Sequence, residues 1–110
     1  MPRFERWDIV AVPFPYVERP VVQRRPALVV AAMLGDGREL IWVLMITSAS
    51  NEPWPDDVTI DEHGHAGLPI PSVVRSAKIA TVEADSARKL GTLPRDIAAQ
   101  VAAVMKRRLT

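Results

Sequence analysis

The chain has 110 residues, of which 48% are hydrophobic and 25% charged, and this is the composition of one folded domain over residues 1–110 rather than of a disordered segment. No apolar run approaches the roughly 20 residues that a membrane-spanning helix needs, and the mixed-charge N-terminus is unlike a signal peptide, so we expect no membrane association. The absence of cysteine excludes disulfides and thiolate metal sites and is compatible with a reducing cytoplasm.

The net charge is only +1, but the charges are unevenly distributed. Residues 39–74 contain no lysine or arginine and six acidic residues, whereas six arginines precede this block. Arginine makes up 11 of the 14 cationic residues, and it is the side chain best suited to bidentate phosphate binding. Two arrangements stay open: a basic face opposite an acidic face, or charges that interdigitate in three dimensions.

Several short runs rich in apolar and β-branched residues are bounded by proline, glycine or polar residues, which is typical of strands. In chain order, they cover residues 7–14, 27–33, 40–46, 57–60 and 72–82. The polar stretches 16–23 and 48–55 are predicted loops. Short strands with frequent turns predict a small, strongly bent barrel, so the fold class is mainly β.

Turn and helix signals complete this prediction. Gly35-Asp36-Gly37 predicts a hairpin turn, and the strand at 72–82 is expected to bend near Ser76-Ala77. We expect Asp85 to cap a short helical turn that stops at Gly91. After Pro94, apolar residues recur at helical spacing with cations in the last turn, which predicts a C-terminal helix.

Three of the apolar runs carry phosphate-binding side chains at one end. Arg24-Arg25 precedes the second strand, Thr47-Ser48 ends the third, and Arg75 lies at the edge of the run that begins at Ser72. A guanidinium presents five donors in a fixed fork and stays charged at every physiological pH. These residues predict a site that binds phosphate.

The order of these motifs resembles the MazF/PemK family of toxin–antitoxin toxins, from about Trp7 to about Leu109. The strings that carry the resemblance are Asp8-Ile9-Val10 with Pro13-Phe14-Pro15, Arg24-Arg25-Pro26-Ala27-Leu28-Val29-Val30, Ile46-Thr47-Ser48, Gly67-Leu68-Pro69, Ser72-Val73-Val74-Arg75, Lys78-Ile79-Ala80-Thr81-Val82 and Leu90-Gly91-Thr92-Leu93. The resemblance implies an SH3-like β-barrel with a C-terminal helix, usually a homodimer in the cytoplasm. It also implies a metal-independent, cofactor-free endoribonuclease that cleaves single-stranded RNA and is inhibited by a small antitoxin protein.

The resemblance assigns roles to three residues as catalytic. Arg25 matches the arginine that acts on the scissile phosphate, as stabiliser or acid, and Pro26 restricts it to extended backbone. Thr47 matches a hydroxyl that orients the attacking group or donates to a phosphate oxygen. Arg75 matches an arginine that one branch of the family uses together with an acid two residues later, but that position is Ala77 here.

RNA binding is expected of Arg24, Ser48, Arg19, Tyr16 and Trp54. Two alternatives stay open: that Arg24 takes the central role in place of Arg25, and that Ser48 shares the task of Thr47. The two aromatic residues lie in the predicted loops and either stack on unpaired bases or anchor a loop or the antitoxin. Ala77 leaves the general base open, with Asp8 and Glu18 as substitutes, although a structural hydrogen bond is the more ordinary task for Asp8. Trp7 replaces a glycine of the family, so we expect either a different backbone at this position or a side chain that covers the barrel end.

Other readings are weaker. His63 and His65 flank a glycine in a turn without a third histidine or a cysteine, so we expect solvent-exposed histidines rather than a metal site. A relative of this fold acts by binding DNA gyrase through an apolar C-terminus, whereas this chain ends in Lys106-Arg107-Arg108-Leu109-Thr110. The alternatives to a nuclease are therefore a non-catalytic, protein-binding toxin and an inactive antitoxin-binding decoy.

Overall fold

A computed structural model of the chain describes residues 3–13, 24–35 and 37–109, and these form one six-stranded antiparallel sheet and one C-terminal helix. The elements are β1 (Asp8–Pro13), β2 (Arg24–Gly35), β3 (Arg38–Ser48), β4 (Val58–Ile60), β5 (Ser72–Glu83), β6 (Arg88–Thr92) and α1 (Arg95–Arg108). The strand order across the sheet is β4-β5-β3-β2-β1-β6. The mainly β fold with a terminal helix is therefore confirmed.

The hairpin and the bend that the sequence predicts are both present. The pairing of β2 with β3 extends to Gly35 opposite Arg38, and Gly37 has a φ of 79°, a conformation that glycine adopts without a steric penalty. In β5, Ile79 pairs with Leu44 and Arg75 pairs with the next residue of β3, Met45. The residues between Arg75 and Ile79, which include Ser76 and Ala77, therefore bulge out of the ladder and bend the strand.

The segment 84–92 differs from its prediction. A single 3₁₀ turn covers Ala84–Ser86 without a side-chain cap, and Asp85 instead forms an ion pair with Arg3 (2.7 Å). Gly91 does not end a helix but lies in β6, opposite Ile9 of β1. The prediction was wrong because pairing with a strand 80 residues away in sequence outweighs the weak local signal for a helical turn.

The sheet is buried on both faces, which explains why β2 and β3 read as almost continuous apolar runs. One face packs against α1 in a cluster that includes Ile9, Leu28, Leu44, Ile46, Ile97 and Val101. The other face carries a second cluster that includes Phe4, Val10, Val12, Val29, Ile41 and Val43. Neighbouring residues of one strand thus belong to different clusters, as the alternation of side chains along a strand requires.

The two edges of the curved sheet approach each other through glycine. Residues 66–67, in the turn that follows β4, lie directly against residues 90–91 of β6. A Cβ atom built on Gly91 would lie 2.2 Å from the carbonyl oxygen of Ala66, and one built on Gly67 would lie 2.0 Å from that of Leu90. The curvature expected of an SH3-like barrel therefore depends on glycine at positions 67 and 91, where the two backbone segments are in contact.

Trp7 adopts the left-handed conformation, with a φ of 80°. Its amide donates to the carbonyl of Val29 (2.8 Å), its carbonyl accepts from the amide of Leu93 (2.9 Å), and its half-buried ring packs against the first core cluster. The expectation of a different backbone at this position is wrong, because these two hydrogen bonds hold the backbone in the conformation that favours glycine. The alternative, a side chain that covers the barrel end, agrees with the packing of the ring.

Helix α1 follows its prediction closely. Pro94 is the N-cap, Asp96 lies in the first turn, and the last turn carries Lys106, Arg107 and Arg108, as the helix dipole favours. Its buried residues are Ile97, Ala98, Val101 and Val104. Among the described residues, no helix has the length and hydropathy needed to cross a bilayer.

Candidate functional site

A cavity of about 440 Å³ lies at the end of the sheet where β2 and β5 begin and where β3 ends. The loop at residues 67–70 and the start of β6 complete its wall. Its polar lining residues are Arg24, Arg25, Thr47, Ser48, Asn51, Ser72 and Arg88. Three of these are arginines, and no described residue of the lining is acidic, so the cavity favours an anion.

Arg25 and Thr47 are neighbours across the β2–β3 pair. Ala27 pairs with Met45 in this antiparallel pair. Arg25 lies two residues before Ala27 and Thr47 two residues after Met45, so both lie toward the same end of the pair and on the same face of the sheet. Both residues are half-buried, and Arg25 has an interaction partner within the protein. A charged fork and a hydroxyl therefore meet where the sequence predicts a phosphate.

The hydroxyl of Thr47 has a partner that sequence reasoning missed. The side-chain amide of Asn51 donates to Thr47 Oγ1 (2.6 Å), while the amide N–H of Asn51 donates to the carbonyl of Ser48 (3.1 Å). Because Oγ1 accepts from Asn51, the proton of Thr47 is available to a phosphate oxygen. The signal was present as an asparagine in a polar turn four residues after a strand-terminal threonine, where such side chains form local hydrogen bonds.

Ser48 and Arg24 are held at the rim of the cavity. Ser48 Oγ lies 2.8 Å from Ser50 Oγ and accepts from the amide of Ser50 (3.2 Å). The exposed Arg24 donates to the carbonyl oxygen of Ser86 (3.1 Å). This contact leaves the arginine tethered close to the beginning of β6.

Arg88 is the second residue that sequence reasoning missed. Ala11 of β1 pairs with Pro26 on one side and with Arg88 on the other, so the first residue of β6 reaches the same cavity as the start of β2. The side chain is exposed, and no described residue forms a hydrogen bond or an ion pair with its guanidinium. No local signal marks it, because its position depends on the pairing of β6 with β1.

A protein-family model that describes the PemK-like, MazF-like toxin of type II toxin-antitoxin systems matches residues 5–109. The chain belongs to this family. A search of curated protein sequences finds no match to the chain. The MazF-like toxin family is therefore identified by the family model, over nearly the whole chain.

Solved structures confirm the fold. The MazE–MazF complex of Deinococcus radiodurans (form II) superimposes with a TM-score of 0.68 at 23% identity, covering 96% of this chain and 93% of that chain. The Mycobacterium tuberculosis toxin MazF-mt6 gives a TM-score of 0.70 at 18% identity, covering 93% and 95%. Free MazF of D. radiodurans (form I) gives 0.69 at 23%, covering 96% and 94%. At these identities the likeness concerns the MazF fold alone.

Arg75 does not lie where a catalytic arginine of this MazF-like chain is expected. It is 7% exposed and absent from the cavity lining. Its Nε and Nη2 donate to both carboxylate oxygens of Asp57 (3.2 and 3.0 Å), and Nη2 also donates to the carbonyl of Glu52 (2.8 Å). Two of the three nitrogens of its guanidinium are thus bound to a buried carboxylate outside the cavity lining, and a catalytic role of Arg75 stays a prediction.

The pair of Arg75 and Asp57 is charged at neutral pH. Burial alone would raise the pKa of Asp57, but hydrogen bonds from Arg75 and the amide of Trp54, with the charges of Arg75 and Arg108, hold that pKa below its ordinary value. Removing one member of such a pair typically costs about 3–5 kcal/mol of stability, because it leaves the other charge buried and unpaired.

Trp54 is also used within the fold. Its ring is 39% exposed and lies outside the cavity lining, with the guanidinium carbon of Arg75 at 4.5 Å and Lys78 Nζ at 5.0 Å from the ring centroid. Of the two predicted roles, these contacts favour the anchoring of a loop over the stacking of a base. The other aromatic candidate, Tyr16, lies outside the described residues, as do Arg19 and Glu18.

The remaining charged candidates have structural partners. The 6% exposed carboxylate of Asp8 accepts from the amide of Glu5 (2.9 Å) and lies 3.4 Å from Lys89 Nζ, which agrees with a structural task. Asp56, in the acidic block, pairs with Arg107 (3.0 Å) and Arg108 (3.3 Å). The charges thus interdigitate around the 49–57 loop, whereas the cavity remains basic.

The histidines lie in the turn at residues 61–67, with His63 half-buried and His65 exposed. Within ranges 3–13, 24–35 and 37–109, no three His, Cys, Asp or Glu side chains come together in a way that would hold a metal ion.

Proposed function

We propose that this MazF-like toxin is a metal-independent endoribonuclease that cleaves single-stranded RNA at specific sequences. The observation that supports it is the cavity whose lining Arg25, Arg24 and Arg88 share with Thr47. Phosphodiesters carry one negative charge per nucleotide, and guanidinium groups are the side chains that best match them.

The reaction is a transesterification in which the 2′-oxygen attacks the adjacent phosphorus and the bond from phosphorus to the 5′-oxygen breaks. The 2′-hydroxyl loses one proton and the 5′-oxygen gains one, so the products are a 2′,3′-cyclic phosphate and a 5′-hydroxyl end, without any co-reactant. Two negative charges accumulate on the phosphorane oxygens between these events. Fixed donors that meet this charge typically contribute about 10²–10³-fold each to the rate.

The residues of the cavity divide this task between them. Arg25 donates to the non-bridging oxygens of the scissile phosphate or assists the leaving oxygen as an acid. Thr47 donates its proton to a non-bridging oxygen, since Asn51 already occupies an acceptor site of its hydroxyl. Arg24 and Arg88 lie in the same lining and bind flanking phosphates.

We also propose the partners of this reaction. The D. radiodurans neighbour is a complex of MazE with MazF, and by analogy a MazE-like antitoxin binds this toxin and blocks the arginine-lined cavity. The toxin acts as a homodimer in the cytoplasm, where messenger RNA is its substrate.

The proposed activity is tested by incubating the purified protein with a long single-stranded RNA in the presence of EDTA and mapping the new ends. We expect discrete cuts with 5′-hydroxyl ends. Cleavage that disappears on chelation would contradict the metal-independent mechanism. Intact RNA beside a folded protein would contradict the nuclease itself and direct the search to protein targets.

Arg88 is predicted to bind a flanking phosphate, so Arg88→Gln should weaken RNA binding with little effect on the chemical step. With a substrate analogue that carries a 2′-deoxy sugar at the cleavage site, the slope of log K against log salt should fall by about 0.7, the value for one lost phosphate contact to a single strand. Lys89→Gln is the matched control, because Lys89 is the next residue of β6, lies outside the cavity lining and faces Asp8. If the salt dependence of binding changed equally in Arg88→Gln and Lys89→Gln, the effect of Arg88 would come from the net charge of the protein and not from a phosphate contact.

A further inference from the structure

Arg75, which the sequence analysis assigns to catalysis, binds the loop that carries one wall residue of the cavity. The loop between β3 and β4, residues 49–57, begins directly after Ser48 and carries Asn51 on the cavity side. The same loop is bound from beneath by Arg75, which contacts both its end, at Asp57, and its middle, at the carbonyl of Glu52.

We propose that the buried ion pair of Arg75 and Asp57 is a positioning element that holds the 49–57 loop so that Asn51 donates to Thr47 and leaves the proton of that hydroxyl for the phosphate. The inference rests on the proposed nuclease function and adds a task for two residues outside the cavity. Arg75 then acts on the reaction through the loop, not by contact with RNA.

Burial and geometry support a task in positioning. The side chains of Arg75 and Asp57 are 8% and 9% exposed, and the pair is bidentate, so it fixes direction as well as distance. Arg75 lies on β5 opposite Met45, two residues before Thr47 on β3. The ion pair and the Thr47 hydroxyl are therefore both attached to the β3–β5 strand pair. An arginine that needed only to neutralise Asp57 would not also require the third bond, to Glu52.

The loop is also bound from outside. Arg107 and Arg108, in the last turn of α1, pair with Asp56, and Arg108 donates to the carbonyl of Pro55 (3.1 Å). Asp56 itself has a φ of 65°, in the left-handed region that few residues other than glycine adopt. The 49–57 loop is therefore held at both surfaces, although its side chains are mostly exposed.

The hydrogen bond from Asn51 to Thr47 explains why the 49–57 loop needs the support of the Arg75–Asp57 ion pair. A hydroxyl donates more strongly when it also accepts a hydrogen bond. Asn51 therefore both orients the Thr47 hydroxyl and polarises it, provided that the loop keeps the two side chains within bonding distance. An exposed turn without internal support would satisfy this bond only part of the time.

The first test replaces Asn51, because this residue is exposed and Asn51→Ala leaves the core intact. We expect kcat to fall at least 10-fold with an unchanged KM. Asn51→Asp should lose as much, because a carboxylate takes the proton that Thr47 would give to the phosphate. Wild-type kcat in either variant would overturn the proposal.

The second test asks whether Arg75 acts through Asn51. Arg75→Lys keeps the charge and loses the fork, and we expect a kcat at least 10-fold lower with little change in KM. Adding Asn51→Ala to it should lower kcat no further, whereas independent effects would multiply. Arg38→Lys is the control, because it alters the exposed Arg38–Glu83 pair at the opposite end of β3 and should leave kcat unchanged.

A readout independent of cleavage separates this inference from the proposed function. In Arg75→Lys, the amides of Asn51 and Asp57 should exchange hydrogen at least 10-fold faster, while those of β2 and β3 stay protected. Unchanged exchange in the loop would overturn the positioning task even if the enzyme cleaves RNA. A wild-type protein that leaves RNA intact would contradict the nuclease alone.

Discussion

Replacing Arg25 by alanine is expected to reduce the rate of RNA cleavage by about 10²–10³-fold, the usual effect of removing one fixed donor from a site of developing charge. The side chain lies in the lining of the cavity, beside Thr47 across the β2–β3 pair. In the proposed reaction, its charge and its fork stabilise the negative charge of the phosphorane. Cleavage rates of single-stranded RNA under single-turnover conditions measure the loss.

The variant Arg25→Lys distinguishes charge from geometry. Lysine supplies one point charge without the planar fork, so its rate should lie between those of wild type and Arg25→Ala. Arg24→Ala is the neighbouring control and should weaken binding more than the chemical step, since Arg24 is exposed and tethered to the carbonyl of Ser86.

Stability must be measured beside activity, because Arg25 has an interaction partner within the protein. We expect the thermal midpoint of Arg25→Ala to change by only a few degrees. A loss of activity that simply follows a large fall in this midpoint would assign Arg25 a structural task instead.

The part of the cavity that the sequence predicts is the part that local chemistry determines. Arg24, Arg25, Thr47 and Ser48 lie at the ends of apolar runs. In an antiparallel hairpin, the start of one strand and the end of the next lie side by side at the same end of the sheet. Register then places them in one cavity without knowledge of the rest of the fold.

The residues whose surroundings the sequence did not predict depend on distant partners. Arg88 reaches the cavity only because β6 pairs with β1, and Arg75 is occupied only because Asp57 approaches it from 18 residues earlier in the chain. Neither contact leaves a periodic or compositional trace in its own segment. Trp7 shows the same limit for the backbone, because hydrogen bonds with Val29 and Leu93, both distant in sequence, hold it in a conformation that its side chain disfavours.

Replacing Gly91 by alanine should destabilise the fold by at least about 3 kcal/mol, beyond the usual effect of overpacking. The added Cβ would meet the carbonyl oxygen of Ala66 at 2.2 Å and its carbon at 2.6 Å. Both are backbone atoms, so the clash cannot be relieved by a rotamer change. In a domain of this size, 1 kcal/mol corresponds to about 4–8 °C, so the thermal midpoint should fall by about 12 °C or more.

Three other glycines separate steric clash from backbone conformation. Gly64 has open space around it and no positive φ, so Gly64→Ala should be neutral or slightly stabilising through the unfolded state. Gly37 has open space but a φ of 79°, so Gly37→Ala should cost about 1–2 kcal/mol. Gly67 combines a φ of 79° with a carbonyl oxygen at 2.0 Å, and its alanine variant should be the least stable of the series.

The order of these variants tests what holds the two edges of the sheet together. If contact between the two sheet edges holds the curvature, stability should decrease in the order Gly64, Gly37, Gly91 and Gly67 when each is replaced by alanine. Equal losses for Gly37→Ala and Gly91→Ala would mean that the edges separate at little cost and that the approach of residues 66–67 to residues 90–91 is incidental. Because Gly67, Leu68 and Leu90 also line the cavity, a separation of the edges would open its wall. RNA cleavage by any folded Gly91→Ala protein should then fall together with the thermal midpoint, whereas Arg25→Ala should lose cleavage alone.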